Sequence, residues 1–540
     1  MEGRSASALK GIGLSLAETA RESEGRVSFV GERGEVALAV PWRHLFDRAE
    51  RAACGLRALT GPYRRPVAVV GSLSPETIVA IFAVLFTGRP VAVVPPAHHR
   101  RRKGPVPANE HLLSRAGLVI MAEPSAEPFG RASGIRTTTV AALENAASGV
   151  RTVEPAAASE IAVLQLSSGT TGGQKVLGLG SGGIEANLRA ISTRIGAHRH
   201  DRFVSWLPLY HDMGLFGMLL LPALLGADAV YVPTEVYASR PHLWMAAAGR
   251  YGGTLLCAPN AAYRAAARCL SRDDGIDLGS VRAAFCGAEL VRAGDLTSFT
   301  AAAAPLGLDP DVVSGCYGLA EATLAVTMCR PGSGLAAVRR TGERLDVSCG
   351  PPLDGVDVRV GKPDRPSAGP GDGIGEVYVK SPSLFREAYG AETMKAEEFL
   401  DSGWLATGDI GYLHNGELYL RGRSKDMLNV AGRNIPPEDV EDVVANVAGV
   451  RRGRVVAFRV DDAGGRERVV VMAEPAGAAG DHADAVPGLE RAIRDAVAES
   501  CRIGLRDVRI VPRGSIEKTT SGKLRRRVMR DSYLTYMGVA

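Results

Sequence analysis

The stretch Ser167-Ser168-Gly169-Thr170-Thr171-Gly172-Gly173-Gln174-Lys175 decides the fold that we expect for this chain. It follows an apolar run at 161–165 that is typical of a buried strand, so its small residues form a turn that leaves the strand. Glycines let a backbone approach an anion closely, and Ser and Thr hydroxyls supply further donors. The stretch predicts a loop that holds a polyphosphate, and the alternative is a flexible surface turn.

The residues around this loop favour the phosphate interpretation. Residues 184–191 carry helical periodicity, and a strand, a glycine-rich turn and a helix in series is the expected context of a phosphate site. The loop is not of the Walker type, because Gln174 stands where that pattern needs the glycine before its lysine.

Length and charge narrow the class of protein. A chain of 540 residues exceeds a single hydrophobic core, so we expect two or more domains. The formal net charge of +5 is small for this length and argues against nucleic acid as a partner. The basic run at 98–103 predicts a solvated loop. We expect no signal peptide and no membrane segment, since the longest apolar runs are broken by Gly, Pro and charged residues.

The cysteines are scattered, and no two of them have C-x-x-C spacing. This argues against a zinc knuckle and against a disulfide scaffold, and it fits a reducing cytoplasm. The residues are Cys54, Cys257, Cys269, Cys286, Cys316, Cys329, Cys349 and Cys501.

The first part of the chain has the pattern of a parallel sheet. Val-rich strands at 66–71 and 90–95 flank a predicted helix at 74–86, which has Pro75 in its first turn. A strand, a helix and a strand in this order form a βαβ unit, whose strands are parallel. We therefore expect an α/β fold with sheets covered by helices.

Two later strands end in glycine turns, at 281–289 and at 314–323. The carboxyl ends of parallel strands are where ligands bind in such folds. Tyr317 can stack on a planar ring there, and Glu321 can hold a hard cation through oxygen.

Two further segments carry candidate functional side chains. A proline, an aromatic residue, His211 and an acid lie close together in 205–215, which indicates a loop at the mouth of a pocket. The alternative for His211 is a core histidine beside a buried aromatic residue. Asp409 is expected in a tight turn, ahead of a hairpin at 414–417. There it can grip a ribose, and a structural Asx-turn is the simpler alternative.

The charged run at 421–426 marks the expected domain boundary, and a smaller unit follows it. A helix is predicted within 434–444, where proline and acids fall in the first turn. Near the end of the chain, a loop of small residues presents Lys523 ahead of an arginine cluster. That loop is either a basic tail or a mobile catalytic finger.

The order and spacing of these motifs resemble the adenylate-forming superfamily, which includes acyl-CoA synthetases, nonribosomal peptide adenylation domains and firefly luciferase. The resemblance covers nearly the whole chain, and 206–215 and 317–324 are most similar to the fatty acyl-AMP ligase branch. It implies a large N-terminal domain, 1–424, of parallel or mixed sheets with a β-barrel-like subdomain. It also implies a small mobile α+β domain, 425–540.

The resemblance also implies roles for individual residues. The phosphate loop would comprise Ser167, Ser168, Gly169, Thr170, Thr171, Gly172 and Lys175. The nucleotide would contact Gly287, Ala288, Glu289, Cys316, Tyr317, Gly318, Leu319, Ala320, Asp409 and Arg423. Catalysis would depend on Lys523, on Glu321 as the Mg²⁺ ligand and on His211, which would gate the path between acyl pocket and thiol tunnel. The hinge would be Lys425, and the thiol tunnel would be lined by Gly432, Arg433 and Asn434.

The chemistry that the resemblance implies suits these residue types. A carboxylate attacks the α-phosphate of ATP, pyrophosphate leaves and an acyl-adenylate forms, with positioning and charge stabilisation carrying the catalysis. The small domain would then turn about Lys425 and remove Lys523, so that a thiol can attack the mixed anhydride. We expect an acyl-CoA ligase that uses ATP, Mg²⁺ and coenzyme A.

The chain departs from the family pattern at several positions. Gln174 replaces a proline, Val176 replaces a glycine, and Ser181 falls where a histidine usually opens the next helix. Glu517 stands where a proline commonly precedes the final lysine motif. These changes lie on the pyrophosphate side of the reaction. An alternative expectation is therefore that adenylation is slow or lost, and that the enzyme only forms thioesters from a preformed acyl-adenylate.

The acceptor is open between CoA and an acyl carrier protein. Fatty acyl-AMP ligases carry an insertion that disfavours CoA, and this chain has only a short connection between Leu324 and Val347. CoA is therefore the first expectation. The alternative from another class is a non-catalytic binding protein, against which Lys425 and Lys523 argue. The Ala, Gly and Arg content suggests a GC-rich bacterial source and a role in antibiotic biosynthesis, and the acid itself is open.

Overall fold

The computed structural model describes most of the chain. The described ranges are 11–61, 65–96, 112, 115–122, 135–147, 161–166, 175–270, 275–339, 345–362, 365–366, 373–389, 403–430, 433–461, 467–476, 486–518 and 524–537.

Helices are distributed along the whole chain. The α-helices are Ile12–Glu22, Trp42–Thr60, Pro75–Phe86, Val140–Ala146, Ser181–Ile195, Leu221–Leu225, Thr234–Ser239, His242–Arg250, Asn260–Cys269, Ala293–Ala303, Pro437–Ala445, Val486–Cys501 and Arg526–Tyr536. Met213–Leu220 is a π-helix, and short 3₁₀ turns lie at Ala304–Leu306, Pro310–Val312, Ala320–Ala322 and Ser424–Asp426. Within the described residues, no helix is both long enough and apolar enough to cross a bilayer.

Two large sheets form the N-terminal domain. In spatial order, the described strands of one sheet are Ala325–Met328, Val313–Gly318, Ala283–Cys286, Leu255–Ala258, Arg202–Ser205, Asp228–Tyr231, Arg26–Val30 and Val36–Pro41. Those of the other are Glu387–Tyr389, Val176–Gly180, Ile161–Leu166, Val91–Val94, Val67–Val70, Leu118–Met121 and Thr137–Thr139. Most neighbouring strands run parallel. The antiparallel strands are Val36–Pro41 and Ala325–Met328, at the two edges of the first sheet, and Val176–Gly180, next to one edge of the second. The predicted α/β fold is confirmed.

An antiparallel sheet completes this domain. Its described strands, in spatial order, are Arg365–Pro366, Asp357–Lys362, Gly375–Lys380, Leu405–His414 and Glu417–Arg423. A two-residue turn joins the last two, with Asn415 and Gly416 both at positive φ, as such hairpins require. The predicted hairpin is confirmed, but the tight turn predicted at Asp409 is wrong, because that residue lies within the strand Leu405–His414.

The helix Pro75–Phe86 shows how sequence produces the core. Ser74 caps its first turn by accepting from the Thr77 N–H at 3.3 Å, and Pro75 occupies the first helical position. Its side chains are almost all apolar, so it is buried, and its Phe82 ring lies 4.9 Å from that of Phe46 on the neighbouring helix. The predicted βαβ unit is formed by this helix and the parallel strands Val67–Val70 and Val91–Val94.

The smaller C-terminal domain has its own hydrophobic cores on the two faces of one sheet. Described strands of this sheet are Val450–Asp461, Glu467–Pro475 and Leu505–Ile510, and short strands Leu428–Val430 and Arg433–Ile435 pair beside it. Val455 and Ala457 pack towards Pro437–Ala445 and Val486–Cys501, and Val456 and Phe458 pack towards Arg526–Tyr536. This alternation is the two-residue period of a strand covered on both faces. The boundary at Lys425 stays a prediction.

The helix that follows the phosphate-loop segment is fixed by buried polar contacts. Ser181 opens the helix, and its Oγ accepts from the Ile12 N–H at 2.8 Å. Glu185 accepts from the Gly11 N–H at 3.0 Å. Asn187 exchanges two hydrogen bonds with the backbone of Ala325, at 2.8 and 3.2 Å. Ser181 therefore serves to dock the first helix of the chain.

We predict that Ser181→Ala lowers the free energy of unfolding by about 1–3 kcal/mol, because a buried N–H at Ile12 loses its acceptor. Urea denaturation measures this change. Ser298→Ala is the matched control, since Ser298 is exposed and its hydroxyl donates to the Gly294 carbonyl within its own helix. Equal stability of the two variants would contradict the docking role of Ser181.

Candidate active site

The carboxylate of Asp409 is the centre of the site. The Tyr317 hydroxyl donates to its Oδ2 at 2.6 Å, and Arg423 Nε lies 3.0 Å from its Oδ1. Asp409 and Arg423 are paired residues on adjacent antiparallel strands, while Tyr317 comes from the end of a strand in the large sheet. One carboxylate therefore joins two sheets, and both of its oxygens are held in place.

Glu321 lies beside this cluster, in the 3₁₀ turn Ala320–Ala322 after the strand Val313–Gly318. Its backbone carbonyl accepts from the Phe385 N–H at 2.8 Å. Burial raises the pKa of the Glu321 carboxyl, Arg423 opposes the shift, and Asp409 and Asp212 add to it. The motif that contains Tyr317 and Glu321 and the motif that contains Asp409 and Arg423 therefore lie together in the structure, and their contact with a nucleotide stays a prediction.

The two segments predicted to contact the nucleotide, 287–289 and 316–320, are packed with very close backbone contacts. A Cβ on Gly287 would lie 2.7 Å from Cys316 Sγ, and a Cβ on Gly318 would lie 1.7 Å from the Leu324 carbonyl oxygen. Ala288, with φ of 68°, and Thr323, with φ of 71°, adopt the left-handed conformation that side chains disfavour. Strained residues of this kind concentrate at binding sites, where the surrounding structure holds them.

The segment that carries His211 is tied to the strand that leads into the phosphate loop. Gln165 Nε2 donates to the Tyr210 carbonyl at 3.0 Å, and the His211 N–H donates to the Pro208 carbonyl at 3.2 Å. The rings of Tyr210 and His211 lie 4.9 Å apart. His211 is half-buried, so it is not the fully buried core histidine of the alternative interpretation.

A π-helix, Met213–Leu220, begins directly after this segment, and the Asp212 carboxylate accepts from the Met213 N–H at 2.7 Å. π-helices are rare and are frequently found at functional sites. A Cβ on Gly217 would lie 3.1 Å from Leu324, so the π-helix packs against the turn that follows Glu321.

Asn260 organises the site but was missed by the sequence analysis. Its Nδ2 donates to Glu289 Oε1 at 3.0 Å and to the Leu290 carbonyl at 2.9 Å, and its Oδ1 accepts from the Arg292 N–H at 2.8 Å. The residue is buried at the end of the strand Leu255–Ala258. That position at a parallel strand end was the signal available in the sequence.

Some predicted residues lie outside the described part of the chain: Ser167, Ser168, Gly169, Thr170, Thr171, Gly172, Gly432 and Lys523. Lys175 is half-buried just before the strand Val176–Gly180, and Lys425 is exposed in the turn Ser424–Asp426. Arg433 donates to the carbonyls of Cys501 and Arg502 within the small domain. The structure thus brings together Tyr317, Glu321, Asp409 and Arg423, and it places the proposed tunnel residue Arg433 elsewhere.

Few of the described side chains at the site could bind a cation. Among the described residues, no group of three or more His, Cys, Asp or Glu side chains is placed to hold a metal ion. Glu321 is a half-buried carboxylate with the acidic neighbours Asp409 and Asp212, which suits a hard cation that takes few protein ligands. Mg²⁺ commonly binds through one or two carboxylates together with substrate phosphates.

The fold and the site together define an adenylate-forming ligase. A fatty acyl-adenylate ligase, solved in a study of the enzymes from E. coli and L. pneumophila, superposes with a TM-score of 0.87. It shares 25% identity with this chain, and the match covers 98% of this chain and 99% of that one.

The sequence profile of the AMP-binding enzymes matches residues 16–389, and the chain belongs to that family. A putative acyl-CoA synthetase of Caulobacter vibrioides is 31% identical over 95% of this chain and 94% of its own length. A 4-hydroxyphenylalkanoate adenylyltransferase of Mycobacterium marinum is 32% identical over 91% of this chain and 85% of its own. The protein is an ATP-dependent, acid-activating ligase of the fatty acyl-AMP and acyl-CoA ligase type, as the resemblance implied.

We predict that Asp409→Asn weakens AMP binding roughly tenfold or more, because a neutral amide no longer holds Arg423 and Tyr317 at the ribose position. Titration calorimetry with AMP measures the change. Asp357→Asn, on an exposed position of the same antiparallel sheet, is the matched control and should bind as the unaltered enzyme does. Undiminished affinity in Asp409→Asn would rule out this assignment.

Proposed function

We propose that the enzyme converts a carboxylic acid to its acyl-adenylate and then to a CoA thioester. The observation that carries this proposal is the assembled cluster of Tyr317, Asp409, Arg423 and Glu321, which combines an aromatic ring, a held carboxylate and a second, half-buried carboxylate. The acyl-CoA synthetase name of the C. vibrioides relative supports CoA as the acceptor.

Each residue has a role that its surroundings support. The Asp409 carboxylate would accept hydrogen bonds from the ribose hydroxyls, while Arg423, whose Nε lies 3.0 Å from Oδ1, keeps it oriented. The Tyr317 ring would pack on the adenine base. In the first step, the acid's carboxylate oxygen bonds to the α-phosphorus and the bond to pyrophosphate breaks. Lys523 would stabilise the charge that develops on the oxygens between acid and phosphate.

Glu321 would hold Mg²⁺, which when bound neutralises phosphate charge. In the second step, the thiol sulfur bonds to the acyl carbon, the bond to AMP breaks and AMP leaves. The small domain would turn about Lys425 between the two steps, and His211 would gate the path of the thiol. Gly432, Arg433 and Asn434 would come to line that path after the turn.

The proposal is tested by mass spectrometry of reactions that contain ATP, Mg²⁺ and an acid from a panel of fatty acids and 4-hydroxyphenylalkanoates. Parallel reactions supply CoA or a carrier protein that bears phosphopantetheine. We expect the CoA thioester. Transfer to the carrier protein alone would instead favour a fatty acyl-AMP ligase. This second candidate is supported by the structural similarity to the fatty acyl-adenylate ligase from the E. coli and L. pneumophila study.

The loop substitutions support a further candidate, in which only thioester formation remains. Gln174 and Val176 alter the loop, and Ser181 is engaged in docking the first helix. Isotope exchange between ATP and pyrophosphate at an ordinary rate would exclude this candidate. A product that forms from supplied acyl-adenylate but not from ATP would establish it. A role in antibiotic biosynthesis and a cytoplasmic location remain part of the proposal.

We predict that Lys523→Ala suppresses adenylate formation by about a hundredfold or more, because one charged donor to the developing charge is lost. Thioester formation from supplied acyl-adenylate should be spared. The two half-reactions are measured separately, and Lys175→Ala serves as a comparison on the phosphate side. Equal loss of both half-reactions in Lys523→Ala would contradict the role proposed for this lysine.

We predict that the enzyme needs more Mg²⁺ as the pH falls. Because the pKa of Glu321 is raised, protons compete with Mg²⁺ at a pH at which an ordinary glutamate is already ionised. The Mg²⁺ concentration for half-maximal rate, followed from neutral to mildly acidic pH, measures this effect. Glu321→Gln should weaken Mg²⁺ binding at every pH and abolish the dependence, whereas the exposed Glu32→Gln should retain it. A pH-independent Mg²⁺ requirement in the unaltered enzyme would refute the assignment.

A further inference from the structure

A set of ion pairs crosses between the large domain and the first helix of the small domain. Arg292, three residues after the predicted nucleotide segment 287–289, pairs with Asp442 and lies 3.9 Å from Glu441 Oε2. Both acids belong to the helix Pro437–Ala445. Asp439 on the same helix lies 3.7 Å from Arg421 of the large domain.

The backbone of Arg292 is fixed to the nucleotide segment. Asn260 accepts from the Arg292 N–H at 2.8 Å and donates to Glu289 at 3.0 Å, so a single buried amide holds both residues. The position of Arg292 therefore depends on Asn260, the same residue that holds Glu289 of the predicted nucleotide segment.

On the small-domain side, the same acids hold the start of the terminal helix. Glu441, whose side chain is 2% exposed, lies 2.8 Å from Arg526 Nη2, and Glu438 lies 2.8 Å from the same nitrogen. Arg526 is the first residue of that helix and comes three positions after Lys523. Glu441 thus contacts a large-domain arginine and an arginine that follows the proposed catalytic lysine by three positions.

The other end of the Lys523 loop also lies at this interface. Lys518 pairs with Leu524 across the base of the loop, and Arg525 is 2.8 Å from Glu517. Burial lowers the pKa of Lys518 to about 8, with Arg454 and Arg264 adding to the shift and Glu289 opposing it. Lys518 therefore lies near large-domain charges, which include Arg292 and, from the predicted nucleotide segment, Glu289.

We propose that Arg292 is a positioning residue for adenylation: its ion pairs with Asp442 and Glu441 dock the small domain so that Lys523 is delivered to the phosphates. The proposal rests on the two-step function proposed above. The ion pairs form in the arrangement seen here and would break when the small domain turns away. Their loss should therefore impair the first half-reaction and leave the second intact.

The test compares Arg292→Gln, Asp442→Asn and Arg292→Lys with Arg268→Gln, which removes an exposed positive charge from the neighbouring helix. Pyrophosphate exchange should fall about tenfold in the first two variants, and thioester formation from supplied acyl-adenylate should not. Arg292→Lys should recover part of the exchange rate. A loss no larger than in Arg268→Gln, or an equal loss in both half-reactions, would overturn the proposal.

Hydrogen–deuterium exchange gives a second measurement that does not require turnover. In Arg292→Gln and Asp442→Asn, peptides that cover 286–296 and 437–445 should exchange faster than in the unaltered enzyme, while the strands of the small domain keep their protection. Unchanged exchange at both segments would overturn the docking contact. If the unaltered enzyme shows no adenylation at all, the proposed first step fails, and this comparison still decides whether Arg292 docks the small domain.

Discussion

The arrangement of the site depends on the carboxylate of Asp409. It accepts from Tyr317 at the end of a parallel strand and pairs with Arg423 on an antiparallel one. A buried carboxylate is costly unless it is paired and hydrogen-bonded, and removal of one partner leaves an uncompensated charge. This interaction therefore fixes the eight-stranded sheet, which carries Tyr317, against the antiparallel sheet. It also holds in place the negative charge that a ribose would contact.

Close backbone packing provides the rest of the geometry. At Gly318 a side chain would collide with the Leu324 carbonyl, and Thr323 is held at positive φ while its hydroxyl donates to the Ser383 carbonyl at 2.8 Å. Such a turn has few alternative conformations. The backbone at Glu321 is thus held rigidly, and a carboxylate that is to bind a cation needs such a fixed position.

Local patterns explain which parts of the structure could be predicted from sequence. The helix Pro75–Phe86 has its cap, its proline and its apolar run within a few residues of one another, and the glycine turn after Tyr317 marks the end of a strand just ahead of Glu321. The turn expected at Asp409 was wrong because pairing with the strand Glu417–Arg423 overrides the local turn residues, leaving Gly408 at φ of 72° as an irregularity within a strand. Arg292 had no local signal, since its partner Asp442 is 150 residues away.

The central claim is that the Asp409 cluster binds the nucleotide part of an acyl-adenylate. A crystal structure of the enzyme with a stable acyl-sulfamoyl adenosine tests it most directly. We expect the ribose hydroxyls on the Asp409 carboxylate, the adenine against Tyr317 and the sulfamoyl group towards Glu321. An analogue bound at another place, with Asp409 still engaged only by Tyr317 and Arg423, would contradict the account.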